Sequence, residues 1–75
     1  MKTLIECKKN CKAKVLKINA KKDLKQRLIS FGIMKEAVVE VLEHAPRKST
    51  IEIKVSKMRI ALRAEEAASI EIEEL

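Results

Sequence analysis

Four stretches of the chain alternate apolar and polar residues with a period of two: VVEVLEH (38–44), TIEIKV (50–55), MRIALR (58–63) and SIEIEE (69–74). Successive side chains on an extended backbone point to opposite faces, so each stretch is predicted to be a strand with one buried face. Ile51, Ile53 and Val55 share a face, as do Met58, Ile60 and Leu62, and only Ser56 and Lys57 separate the two runs. That spacing predicts an antiparallel hairpin. Ser-Lys is a poor two-residue turn, so the strands are expected to give up a residue to it. KAKVLKI (12–18) is a fifth strand with a less regular pattern, because the adjacent Val15 and Leu16 must face opposite ways.

Between the first and second strands the period changes. In NAKKDLKQRLISFG, Leu24, Leu28 and Phe31 fall at i, i+4 and i+7, while Lys21, Lys22, Lys25 and Gln26 occupy other faces. This is the pattern of an amphipathic helix, with Asn19 as its candidate N-cap. Gly32, the only glycine, follows the last apolar position. A left-handed residue there closes a helix, and glycine adopts that conformation without steric cost. The chain is expected to turn from it directly into the AVVEV strand. RAEEAAS (63–69) reads as one helical turn joining the last two strands. A mainly β domain of about five strands, with one short α-helix between the first and second, points to a small closed or nearly closed barrel, which leaves few sheet edges exposed.

Length and charge narrow the function. A chain of 75 residues holds one domain, here 1–75, and a domain of this size buries only roughly 60% of its unfolded surface, leaving little depth for a catalytic cleft. No apolar run is long enough to span a bilayer, and MKTLIECKKNCK lacks the pattern of a signal peptide, so a cytoplasmic protein is expected. Residues 1–30 carry 10 Lys/Arg against 2 Asp/Glu, and residues 31–75 carry 7 against 9, which makes +8 and −2 and sums to +6. Such a gradient suits an acidic partner. GxxxxGK[ST] is absent from a chain with one glycine, so any nucleotide must belong to the partner. Nucleic acid is the runner-up partner. Single-strand binders stack bases on aromatic platforms, however, and Phe31 is the only aromatic residue, placed at a core position of the helix.

Three residues carry metal-ligand or nucleophile chemistry: Cys7, Cys11 and His44. Two thiolates with three residues between them could hold a soft metal with the one histidine, but two thiolates need at least one further ligand for a tetrahedral site, and there is no CxxC or second cysteine pair. The simpler reading makes Cys7 a buried small hydrophobe and expects no cofactor and no bound metal. A disulfide does not suit a reducing compartment. A Cys-His pair without an orienting third group or an oxyanion feature does not make a catalytic site, and no catalytic residue is assigned.

Taken together, LIECKKNCKAKVLKI, the R-L-x-x-x-G-I order at Arg27, Leu28, Gly32 and Ile33, VEVLEHAP ending at Pro46, IEIKV, and IALRAEEAASIEI from Ile60 to Ile72 resemble the FeoA family, the ferrous iron transport protein A proteins. The resemblance spans nearly the whole chain. It departs at turns where the family carries glycine: Asn10 stands at one, MKEA after the G-I step at another, and Ser56 and Lys57 near a third, while Lys48 and Ser49 replace an aspartate-proline pair. The resemblance implies an SH3-like β-barrel without enzymatic activity and with no small-molecule substrate. It implies an accessory role in bacterial ferrous iron uptake, in which the protein binds and modulates FeoB, a membrane permease with a cytosolic GTP-binding domain, at the inner face of the membrane. Related barrels end some metal-dependent repressors, which gives a metal-responsive docking domain as the alternative. In the resembled family the helix and the turn after its glycine are the expected partner surface, here Lys25, Arg27, Met34 and Lys35, with Leu28 either core, which the helical period favours, or partly exposed for docking. Reversing the charge of Lys25 and Arg27 is expected to weaken binding with little change in stability. Weak homo-oligomerisation through a barrel edge stays open.

Overall fold

The computed structural model describes residues 2–45, 47 and 49–75. Its elements run in the order β1 (Lys12–Ile18), α1 (Lys22–Ser30), β2 (Val38–His44), β3 (Thr50–Val55), β4 (Met58–Arg63), α2 (Ala64–Ala68) and β5 (Ile70–Glu74), preceded by a 3-10 turn at Leu4–Glu6. The strands form one antiparallel sheet in the order β4-β3-β2-β1-β5. Its two edge strands, β4 and β5, are joined by the five-residue α2, so the sheet curls round a core as a small, incompletely closed barrel. Register shifts between Val15 and Lys17 in β1 and between Val41 and Glu43 in β2 supply local bends. Such bulges sharpen twist and let a short sheet fold back on itself.

The two-residue period predicts which side of each strand is buried. Ala13 and Val15, Val39 and Val41, Ile51 and Ile53, and Ile60 and Leu62 all lie inward, with Ile70 and Ile72 from β5. Met58 is the exception: it pairs with the buried Val55 at the hairpin end but is itself half exposed. Contrary to expectation, the strands give up no residue to the turn. Val55 pairs directly with Met58, and Ser56 takes φ +57 to make the two-residue turn.

Helix α1 begins later than Asn19. Lys21 stands at the N-cap with no side-chain cap bond, and the Asn19 side chain instead bonds Glu71, while its backbone N–H donates to the Ser69 carbonyl at 2.7 Å. The closing glycine behaves as predicted, with φ +91. Gly32 N–H donates to the Ile29 carbonyl (2.9 Å) and Ile33 N–H to the Leu28 carbonyl (3.0 Å), the paired bonds of a Schellman cap. Leu28 and Ile33, brought together by that cap, are both fully buried. The strand does not follow at once: a turn through Glu36, at φ +73, precedes β2. Asn10, Glu36 and Ser56 thus hold left-handed backbone at the turns that carry glycine in the resembled family, and Arg47 does so in the β2–β3 connection. Pro46 and Lys48, which mark the family pattern in that connection, lie outside the described residues.

Candidate functional site

One side of the barrel carries an apolar groove where α1 and the turn after it meet β1. The irregularity that weakens the β1 pattern explains it. Val15 points into the core, so Leu16 points outward and is left half-buried. Leu16 and Ile18 meet Ile29 of α1 and Met34 from the turn, and these four side chains line a cavity of about 490 Å³. Ile29 and Met34 are 40% and 44% exposed, so the floor is open to a partner. Lys17, Lys25 and Lys35 complete the lining, which contains no carboxylate.

The five residues expected at a partner surface therefore separate. Lys25, Met34 and Lys35 belong to the groove. Leu28 is 0% exposed and cannot present its side chain to a partner, because it is the innermost residue of the amphipathic stripe and one half of the Schellman contact. Arg27 turns toward α2, where its Nη2 lies 3.4 Å from Glu66 Oε2. Glu66 is a nearly buried carboxylate whose other oxygen accepts from the Arg63 backbone N–H at 2.8 Å, capping α2. Arg27 thus pairs α1 with α2, and reversing its charge is expected on that ground to cost stability as well as binding. Sequence reading missed Leu16, Ile18 and Ile29. The signal for Ile29 was present as an apolar residue off the buried stripe of the helix.

A second cluster lies at the opposite termini of the described chain. The Cys7 thiol is buried and Cys11 is half-buried, and both sulfurs approach Glu74 Oε1, at 3.9 and 3.4 Å. Lys2 Nζ bonds the same oxygen at 2.7 Å and holds the Glu74 carboxyl below its usual range. Burial, reinforced by the neighbouring Cys11 thiol and the Glu74 charge, pushes the Cys7 thiol up to about 12. His44 does not join the thiols. Its Nε2 lies 2.6 Å from the Cys7 carbonyl oxygen, which can only accept, so Nε2 carries the proton, and Nδ1 finds no partner among the described residues. Cys7 and His44 are thus linked through backbone and not through sulfur.

Fold and surface together define a small SH3-like barrel that offers an apolar groove rimmed by cations. The FeoA domain family matches residues 2–74, and the chain belongs to that family. A Campylobacter jejuni protein provisionally named Fe(2+) transport protein A is 36% identical over 70 residues, covering 93% of this chain and 95% of that one. A Helicobacter pylori J99 protein of the same name is 34% identical over 73 residues, 96% and 94% of the two chains. Among solved structures, Chlorobium tepidum FeoA superposes with a TM-score of 0.93 at 30% identity, over 99% of this chain and 70% of that one. Stenotrophomonas maltophilia FeoA, solved with zinc and described as a prokaryotic SH3 domain protein, gives 0.85 at 25% identity, over 97% and 91%. A manganese-dependent transcriptional repressor shares the fold over 99% of this chain and 36% of its own, at 21% identity and a TM-score of 0.90.

Proposed function

We propose that this chain is an accessory protein of ferrous iron uptake that works by docking, without a reaction of its own, on the cytosolic part of a FeoB-type permease. The observation that carries the reading is the groove: an apolar floor of Leu16, Ile18, Ile29 and Met34 edged by three lysines. A surface of this kind fits an apolar segment with acidic flanks, burying methyl and thioether groups while the rim attracts and orients the partner. Relatives named for Fe(2+) transport support the iron system as its setting. An oligonucleotide fits the groove less well. Its lining holds no aromatic side chain on which a base could stack, and Phe31 is half-buried against the core. No helix of the described residues is long and apolar enough to cross a membrane.

The test is a titration against the purified cytosolic domain of the cognate permease at physiological salt, with and without guanine nucleotide, beside a random oligonucleotide. Saturable binding to the domain is expected. Met34→Asp should weaken it by at least roughly tenfold by placing a charge on the apolar floor. Lys25→Glu with Lys35→Glu should slow association and reduce its salt dependence. Binding that survives all three changes moves the interface off the groove. Preference for the oligonucleotide overturns the reading.

A further inference from the structure

We propose that Cys7, Cys11 and Glu74 form a site for one thiophilic divalent cation of the Zn(II) or Fe(II) type, with two thiolates and a carboxylate as protein ligands and a fourth position open to solvent. The three ligand atoms all lie within 4.8 Å of one another. A tetrahedral ion with metal–sulfur bonds of about 2.3 Å and a metal–oxygen bond of about 2.0 Å sets its sulfur and oxygen ligands about 3.5 Å apart and its two sulfurs about 3.8 Å apart. The two sulfur–oxygen separations here, 3.4 and 3.9 Å, bracket the first of these values. The Cys7 contact at 3.9 Å is long for a thiol hydrogen bond, and the two sulfur–oxygen separations need shift only by tenths of an ångström to match those about an ion.

The three ligands come from well-held backbone. The Cys11 N–H closes a turn onto the Lys8 carbonyl at 3.0 Å, which brings the two cysteines to one side, and Glu74 is supplied by β5, paired there with Ala13. The Cys7 carbonyl is fixed by His44 Nε2, so His44 acts on the site as a positioning residue and not as a ligand. Charge also fits. Two thiolates and a carboxylate around a divalent cation leave one net negative charge, beside the Lys2 ammonium on Glu74. Lys8, Lys9 and Lys12 line the adjoining cavity of about 390 Å³, through which the fourth position reaches water. Those lysines, which a bare cation would avoid, favour the anionic complex, in which the ion takes the place of the thiol protons.

The probe is Co(II), titrated anaerobically into the fully reduced protein and followed by absorbance. One Co(II) per chain is expected, with a near-ultraviolet thiolate-to-cobalt band, strong tetrahedral visible bands, and displacement of cobalt by Zn(II). Cys11→Ser should weaken the thiolate band and lower affinity by at least roughly tenfold, and Glu74→Gln should lower affinity comparably while both sulfurs remain bound. Cys11 is only half-buried, so its serine variant should stay folded even if Cys7→Ser does not. The absence of a thiolate band would overturn the site. So would a band indifferent to Cys11→Ser and Glu74→Gln, a band lost in His44→Gln but kept in Glu74→Gln, or a stoichiometry of one cobalt per two chains. None of these outcomes depends on permease binding, which the titration in the preceding section measures separately.

Discussion

Reversing Arg27 to glutamate should destabilise the protein by about 2 kcal/mol. The Arg27 side chain is 58% exposed, and an ion pair exposed at both ends contributes at most about 1 kcal/mol. Its partner, however, is only 9% exposed, and stranding a fully buried charge costs about 3–5 kcal/mol. Glu66 falls between these limits, because Oε1 keeps the Arg63 N–H at 2.8 Å when Oε2 loses Arg27. Reversal adds repulsion between two carboxylates at a site where one is poorly solvated. For a domain of this length, about 2 kcal/mol corresponds to roughly 8–16 °C in melting temperature. The assay is urea unfolding followed by far-ultraviolet circular dichroism, with Arg27→Met to separate lost charge from reversed charge. Glu66→Gln in the Arg27→Glu background should recover part of the loss. An unchanged urea midpoint for Arg27→Glu, or no recovery in the double variant, would refute the claim that this pair joins the two helices.

Three further expectations concern the backbone and the buried thiol. Gly32→Ala should cost about 1–2 kcal/mol in urea unfolding, since φ +91 is unfavourable to any side chain and an added Cβ meets Val55 Cγ1 at 3.3 Å. Glu36→Gly should raise the melting temperature by relieving φ +73 at an exposed turn, whereas a similar change within a strand would lower it; a lower value would show that the turn is not strained. With Cys7 raised to about 12, the folded protein keeps a proton that the unfolded thiol loses. Its contribution is therefore complete below the ordinary thiol range and declines by at most about 1.4 kcal/mol per pH unit as pH rises from there toward 12. Under chelating conditions, the stability of Cys7→Ala should fall less steeply than wild type between about pH 9 and 10. Parallel curves would show that the thiol titrates alike in both states.

Local periodicity determined the strands and the main helix, because the side-chain period is a property of the backbone and the burial of one face follows from it. The runs 38–44, 50–55 and 58–63 fall on β2, β3 and β4, and Gly32 closes α1 because one residue type satisfies left-handed geometry without cost. The order of motifs identified the family. The sequence was less informative wherever a side chain chooses between two long-range partners. Asn19 had the chemistry of an N-cap, but Glu71, 52 residues away, took its side chain. Leu28 and Ile29 are adjacent and equally apolar, yet helix docking buries one and leaves the other on the groove. Arg27 belongs with Glu66 only because α2 folds beside α1, and Cys7 and Cys11 meet Glu74 only because β5 pairs with β1. Spacing along the chain cannot encode distances set by strand pairing, since the carboxylate nearest the thiols in space is 63 residues from Cys11 in sequence.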